Sequence, residues 1–367
     1  MMFVFLLSTP KTILRLNQLV VIPVQTEKEY IYSAPLGYFY RERLLAWSLG
    51  LFGVSIRGIS KTFSMAHYKD GTKYEEGFTV NSRGNRLFTC KWTPKKLQPK
   101  AMIFICHGYG GECSISMADT AARLVHAGYA VYGIDQEGHG KSPGPKGYIS
   151  SFSDIVKDCA DYFKGVCEKP ENKMKKRFLY GFSMGGTVVI QLHRKDPTYW
   201  DGAVLLAPMC KLGDDMRPHP AVVGALKMIS FVVPSWRVIP APDKLDKVCK
   251  DPQFKKEIRS NPYMYKGNLA LQTGHELLAV SLDIEKNLEE VTLPFLVLHG
   301  EDDVVADPEG SRLLHERAAS RDKTLKLYAG MWHVLMAEPP ADVERVFADV
   351  TSWLEERTGT ATVSAAK

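Results

Sequence analysis

The chain has 367 residues, of which 45% are hydrophobic and 24% charged, a composition typical of a globular protein with a sizeable core. Its formal net charge is +6, and the basic residues are scattered rather than gathered into an arm or stripe, so no nucleic-acid partner is expected. Histidines and cysteines lack the spacing of metal ligands, and no motif calls for a cofactor, so we expect neither.

The cysteine pattern indicates the compartment. Seven cysteines form no Cys-x-x-Cys pair, and several lie inside apolar segments, where a thiol behaves as a small hydrophobic side chain. This pattern favours a reducing compartment over a disulfide framework. We therefore expect the protein to be cytoplasmic, with association to a membrane left open.

Residues 1–73 form an N-terminal extension with two apolar stretches. Residues 1–7 (MMFVFLL) have no basic residue before them, which makes them a poor secretory signal. Residues 44–56 (LLAWSLGLFGVSI) are too few to span a bilayer as a helix. The extension is interpreted either as packed or disordered, or as an interfacial segment with Trp47 and Phe52 at the headgroups and flanking arginines on lipid phosphates.

From residue 74 onward, strand and helix patterns alternate. Strands are predicted at 77–80, 86–91, 101–106, 130–134, 178–180, 202–206, 294–299 and 324–328, and helices at 117–127, 152–168, 187–193 and 340–357. Residues 209–290 interrupt this alternation with an irregular helical pattern rich in proline. The pattern predicts one α/β domain at 74–357, with a helical cap insertion at about 209–290. Residues 358–367 are small and polar, and are predicted to be a disordered tail.

The strongest chemical signal is Gly-Phe-Ser-Met-Gly-Gly at 181–186, between an apolar strand and a helix. A serine at such a strand-to-helix turn sits on strained backbone at a helix N-terminus, where developing negative charge is favoured. Gly181 and Gly185 lack a Cβ where strand and helix must approach closely. Ser183 is therefore the candidate nucleophile.

A serine hydroxyl needs a base, and a histidine after a late strand is the expected one. His333 follows the last predicted strand and is our choice, with His299 the next to test. The acid should lie in the loop after the preceding strand, where Asp302, Asp303 and Asp307 all remain open. We favour Asp303, then Asp302, then Asp307.

The negative oxygen formed during acyl transfer needs two backbone N–H donors. The residue after the nucleophile, Met184, supplies one in this type of turn. The glycine-rich loop after strand 101–106 should supply the other, and Tyr109 is the candidate there. His107 and His139, which lie in neighbouring loops, are expected to brace those loops rather than to take part in chemistry.

Six motifs in order carry a family resemblance. They are HGYGGEC (107–113), DQEGHGKS (135–142), GFSMGG (181–186), LLAPMCK (205–211), LHGEDD (298–303) and LYAGMWHVL (327–335). Together they resemble the plant monoacylglycerol lipase and caffeoylshikimate esterase group of the α/β-hydrolases, over about residues 77–357. The resemblance implies a mostly parallel sheet with helices on both faces, a cap, acyl-ester substrates, and Asp303 as the acid. Phe182 and Pro143 depart from the group, which usually has Glu and an acidic residue there.

The sequence thus predicts a serine carboxylic-ester hydrolase that acts through an acyl-enzyme and a Ser-His-Asp triad. Its small-molecule substrate would be a monoacylglycerol-like or a hydroxycinnamoyl ester. An acyltransferase and a small-molecule receptor on a hydrolase scaffold remain as alternatives. Residues 221–233 are apolar almost all round, which indicates a buried helix or the lining of an acyl tunnel, and we favour burial. Peripheral membrane contact is expected, if at all, through the cap or residues 44–56.

Overall fold

The computed structural model describes residues 71–211, 219–241 and 245–359. The predictions for the N-terminal extension up to residue 70, including residues 44–56, lie outside the described residues. So does the predicted tail from residue 360 onward.

Within the described residues, eight strands form one sheet in the order β1-β2-β4-β3-β5-β6-β7-β8. The hairpin of β1 and β2 is antiparallel, β2 pairs antiparallel with β4, and every later neighbour is parallel. The predicted mostly parallel α/β fold is therefore confirmed. The strands are β1 (Thr72–Val80), β2 (Arg86–Pro94), β3 (Ala101–Cys106), β4 (Ala130–Ile134), β5 (Lys176–Phe182), β6 (Gly202–Leu206), β7 (Phe295–Gly300) and β8 (Lys323–Tyr328).

Helices cover both faces of the sheet. In chain order they are α1 (Ala118–His126), α2 (Phe152–Cys167), α3 (Met184–Lys195), α4 (Pro220–Val232), α5 (Leu245–Val248), α6 (Pro252–Ser260), α7 (Leu271–Lys286), α8 (Pro308–Arg317) and α9 (Pro340–Thr358). Short 3-10 turns occupy Leu288–Glu290 and Leu335–Ala337. None of the described helices combines the length and the apolar character needed to cross a membrane.

The central strands are apolar because both of their faces are covered. All six residues of β3 are buried, and alternate side chains enter the cores on opposite faces. On one face Phe104 packs against Phe163 of α2, with ring centroids 4.8 Å apart. On the other face Phe178 packs edge-on against Trp353 of α9 at 6.1 Å. The two cores hold the carboxyl ends of the parallel strands at one common edge.

The insertion between β6 and β7 contains α4 to α7, and it contacts the loops at the carboxyl edge of the sheet. The Tyr265 N–H donates to Gly110 O at 2.8 Å, and the Val334 N–H donates to Val248 O at 3.0 Å. The Asn261 side-chain amide donates to the buried Glu112 at 3.1 Å. The insertion is thus bonded to the loops after β3 and β8.

The favoured burial of residues 221–233 is wrong for α4. Its apolar side chains are largely exposed, with Met228 at 74%, Phe231 at 89% and Val232 at 75%, whereas Ser230 is buried. An all-round apolar pattern is typical of a buried helix, but the pattern by itself does not show which segment would cover it. The helix therefore leaves a large apolar surface on the insertion.

Candidate active site

Ser183 stands between β5 and α3 on strained backbone. Its φ is 55° and its ψ is −121°, a conformation that costs a non-glycine residue roughly 1–3 kcal/mol. The turn is held because the Ser183 N–H donates to Leu206 O at 3.0 Å and its carbonyl accepts from the Met209 N–H at 3.2 Å. The neighbouring strand β6 and the loop after it therefore fix the orientation of the serine.

The glycines around Ser183 are required by close backbone approach, as predicted. A Cβ on Gly181 would lie 2.5 Å from Gly185 O, and one on Gly185 would lie 2.0 Å from Cys106 O. Both contacts are far inside van der Waals distance and involve backbone atoms, which cannot move aside as a flexible side chain can. The elbow can therefore pack against β3 only with glycine at both positions.

His333 lies in the loop after β8 and reaches Ser183. Its Nε2 is 3.1 Å from Ser183 Oγ, and its Nδ1 is 2.6 Å from Asp303 Oδ2. Only 6% of His333 is exposed. The structure thus brings together the serine, histidine and aspartate that the sequence singled out, from the ends of β5, β8 and β7.

Of the three carboxylates that the sequence left open, Asp303 is the one that contacts His333. Asp302 is exposed, and Asp307 caps α8 by accepting the Glu309 N–H at 2.9 Å. The Asp303 side chain is fully buried, and its second oxygen, Oδ1, accepts the N–H groups of Val305 at 2.7 Å and Ala306 at 3.1 Å. The loop backbone therefore orients this carboxylate toward the histidine.

Because Asp303 is ionised, the positions of the protons on His333 and Ser183 can be inferred. Burial alone would raise the pKa of its carboxyl, but hydrogen bonds from His299, His333 and the Val305 N–H hold the pKa well below its ordinary value. An ionised carboxylate only accepts, so His333 Nδ1 carries the proton and donates it. His333 Nε2 is then free to accept the Ser183 hydroxyl proton, which is what a general base must do.

Both candidate oxyanion donors lie beside the serine. Met184 is the first residue of α3, where backbone N–H groups have no partner within the helix. Tyr109 lies in the turn after β3, and this turn is close to the elbow because a Cβ on Gly108 would be 3.3 Å from Ser183 Cβ. The Tyr109 hydroxyl donates to Gly147 O at 2.7 Å, so its side chain also ties this turn to a neighbouring loop.

His107 and His139 brace loops, as expected from the sequence. His107 Nε2 accepts the Gln136 N–H at 3.1 Å, and His139 Nδ1 is 3.0 Å from Glu137 O. Burial and the neighbouring His107 lower the pKa of His139 to about 3, and burial also lowers the pKa of His107. Both imidazoles are therefore neutral and stabilise their loops through hydrogen bonds.

Sequence reasoning missed two groups that touch the site. The Phe182 ring lies 5.0 Å from the His333 ring, centroid to centroid. His299, considered only as an alternative base, instead places its Nε2 3.0 Å from Asp303 Oδ2. The four-residue spacing from His299 to Asp303 was visible, but nothing in a single sequence shows that the turn after β7 folds back onto the end of its own strand.

No metal centre accompanies these residues in the part of the chain that the structure describes. No three His, Cys, Asp or Glu side chains there are grouped so that they could hold an ion. The seven cysteines all lie within the described ranges, and each is buried with a free thiol.

The chain is similar to known lipases and esterases over most of its length. Residues 97–340 match the family described as serine aminopeptidase, S33 (Hydrolase_4). The chain is 34% identical over 275 residues to caffeoylshikimate esterase of Arabidopsis thaliana. The aligned region covers 74% of this chain and 82% of that protein. It is 33% identical over 282 residues to monoglyceride lipase of Mus musculus, covering 76% of this chain and 89% of that protein.

A solved structure also resembles this chain. The crystal structure of Paleococcus ferrophilus monoacylglycerol lipase matches with a TM-score of 0.64 and 25% identity, covering 74% of this chain and 99% of that one. The resemblance predicted from the six motifs is confirmed, and the protein is an enzyme of the lipase and esterase class. The chain belongs to the serine aminopeptidase S33 family of α/β-hydrolases.

Proposed function

We propose that this enzyme hydrolyses carboxylic esters through an acyl-enzyme on Ser183. The observation that carries the proposal is the continuous chain of contacts from Ser183 Oγ to His333 Nε2 and from His333 Nδ1 to Asp303. A hydroxyl held against an unprotonated imidazole nitrogen, with a buried carboxylate behind the ring, is the arrangement that activates a serine.

The reaction follows from these contacts in two halves. As Ser183 Oγ attacks the ester carbonyl carbon, His333 Nε2 takes its proton, and the charged imidazole is stabilised by Asp303. The N–H groups of Met184 and Tyr109 are proposed to bind the negative oxygen of the tetrahedral intermediate. His333 then gives its proton to the departing alcohol, which leaves an acyl group on Ser183. Water, deprotonated by the same histidine, releases the acid and restores the serine.

The proposed substrate class rests on two observations, the names of the relatives and the apolar surface of the insertion. The relatives are named for caffeoylshikimate and for monoglycerides, so a hydroxycinnamoyl ester and a monoacylglycerol-like ester are the two candidates. We favour the lipid ester, because the insertion carries the exposed apolar helix α4. The insertion at about 209–290 is proposed to act as a cap over the site, with the hydrolase domain spanning residues 74–357.

Ser183→Ala should lower ester turnover by about 10⁴-fold or more, because losing a nucleophile of this kind removes the acyl-enzyme route. The fold should persist, since the substitution removes one oxygen atom at a surface turn. The measurement is turnover of monoacylglycerols beside caffeoylshikimate by wild type and variant, with circular dichroism as the control for folding. Turnover in the variant within about tenfold of wild type would rule out Ser183 as the nucleophile.

Asp303→Asn should lower kcat by about 10⁴-fold, because an amide cannot stabilise the charged His333 and favours the wrong tautomer of its ring. The matched control is Asp302→Asn, which makes the same chemical change one residue away on an exposed side chain. Its kcat should stay close to wild type. A larger loss for the Asp302 variant would move the acid by one residue and contradict the proposed triad.

We also propose a cytoplasmic enzyme that docks on lipid surfaces through α4. Met228, Phe231 and Val232 are exposed on this one helix, and apolar burial in the headgroup region drives peripheral binding. The net charge of +6 favours an anionic surface.

A cytoplasmic location is supported by the seven buried free thiols. The N-terminal extension, with residues 44–56, is proposed as a second membrane contact.

Co-sedimentation with anionic phospholipid vesicles tests this docking. Phe231→Ser with Met228→Ser should reduce the bound fraction and leave turnover of a soluble short-chain ester unchanged. The matched control is Met174→Ser, whose side chain is 96% exposed but lies before β5, outside the insertion. Deleting residues 1–70 should reduce binding separately, in a salt-dependent way. Equal sedimentation of the α4 double variant and the Met174 variant would contradict docking through α4.

A further inference from the structure

A second histidine lies behind the carboxylate that His333 uses. His299 is the next-to-last residue of β7, and it is completely buried. Its Nε2 is 3.0 Å from Asp303 Oδ2, the same oxygen that lies 2.6 Å from His333 Nδ1. One carboxylate oxygen therefore sits between two imidazole rings, one facing the serine and one facing the protein interior.

The partners of His299 place a proton on its Nε2. Nε2 faces two acceptors, Asp303 Oδ2 at 3.0 Å and Ala306 O at 3.1 Å, so it must carry a proton. Nδ1 is 2.7 Å from the hydroxyl of Ser311 on α8, a fully buried group that can donate to it. A ring with its proton on Nε2 satisfies all of these contacts when the Ser311 hydroxyl donates to Nδ1. A proton on Nδ1 alone would leave two buried acceptors facing a bare nitrogen.

We propose that His299 is a neutral positioning residue that holds Asp303 Oδ2 in line with His333, with the Ser311 hydroxyl donating to its Nδ1. This inference rests on the proposed function. The neutral N–H supplies a hydrogen bond to the carboxylate without adding a positive charge that would compete with the charged His333. It adds a second donor to Oδ2 beside His333, while the Val305 and Ala306 N–H groups donate to Oδ1, and this set of donors opposes rotation of the carboxylate.

The arrangement makes His299 unsuitable as the base that the sequence left open. Both of its nitrogens are engaged, one by Asp303 and Ala306 and the other by Ser311. Its hydrogen bond is also the foremost of the interactions that keep the pKa of Asp303 low against the effect of burial. It therefore acts on the reaction through Asp303.

The test compares His299→Leu with His299→Gln. Leucine removes the donor and should lower kcat by about 10²-fold with KM little changed, because a carboxylate that drifts out of line misplaces the base. The glutamine amide can reach the position of Nε2 and donate to Asp303, so His299→Gln should recover most of the lost kcat. Ser311→Ala should give an intermediate loss of kcat, since it removes the hydrogen bond that anchors Nδ1 without removing the ring.

His193→Leu is the matched control. His193 is another fully buried histidine, and its Nε2 accepts the Thr292 N–H at 2.9 Å. It lies ten residues beyond Ser183, about 15 Å along α3. This variant should lower the melting temperature and leave kcat of the folded enzyme unchanged. A folded His299→Leu variant with wild-type kcat, or a folded His299→Gln variant as slow as the leucine variant, would overturn the inference.

Nuclear magnetic resonance of the wild-type protein with ¹⁵N-labelled histidine tests the same inference without any turnover. We expect His299 to be neutral, with its proton on Nε2 and a bare Nδ1. Ser311→Ala should change the Nδ1 resonance of His299. A charged His299, or one protonated on Nδ1 alone, would contradict the inference even if a variant fails to fold. An inactive wild type with the expected tautomer would instead contradict the proposed function.

Discussion

The candidate site depends on the burial of one charged carboxylate. An unpaired charge in the interior is strongly destabilising, so the Asp303 side chain persists only because donors surround it. Those donors are His333 after β8, His299 at the end of β7, and the N–H groups of Val305 and Ala306. The same contacts that stabilise the charge therefore fix the loop after β7 and the ring that faces Ser183.

The insertion is coupled to the loop after β8, which carries His333. Lys250, between α5 and α6, pairs with the buried Glu338 at 2.7 Å, and Glu338 accepts the Trp332 N–H at 2.7 Å, next to His333. The ammonium of Lys250 also lies 5.1 Å from the centre of the Trp332 ring. Movement of the insertion would therefore act on the position of His333. The helix proposed to dock on lipid and the lysine that contacts Trp332 belong to the same insertion.

Sequence patterns predict the strand bounds well where burial on both faces of the sheet requires apolar residues. Strands β3, β4 and β6 have the predicted bounds, because continuous apolar runs between turn residues are typical of strands covered on both faces. Strand β1 begins earlier than predicted, because a half-exposed hairpin strand tolerates polar residues such as Glu75 and Glu76. The role of His299 and the exposure of α4 were not predictable, since each depends on contacts between distant segments or on where a helix lies.

Mass spectrometry of the protein during turnover of a slowly hydrolysed activated ester tests the central claim most directly. We expect the intact mass to rise by one acyl group and the modified peptide to carry that group on Ser183. The Asp303→Asn variant should accumulate this species much more slowly than wild type, because the serine is then poorly activated. Ester turnover with no acylated protein, or with the acyl group on any residue other than Ser183, would contradict the proposed mechanism.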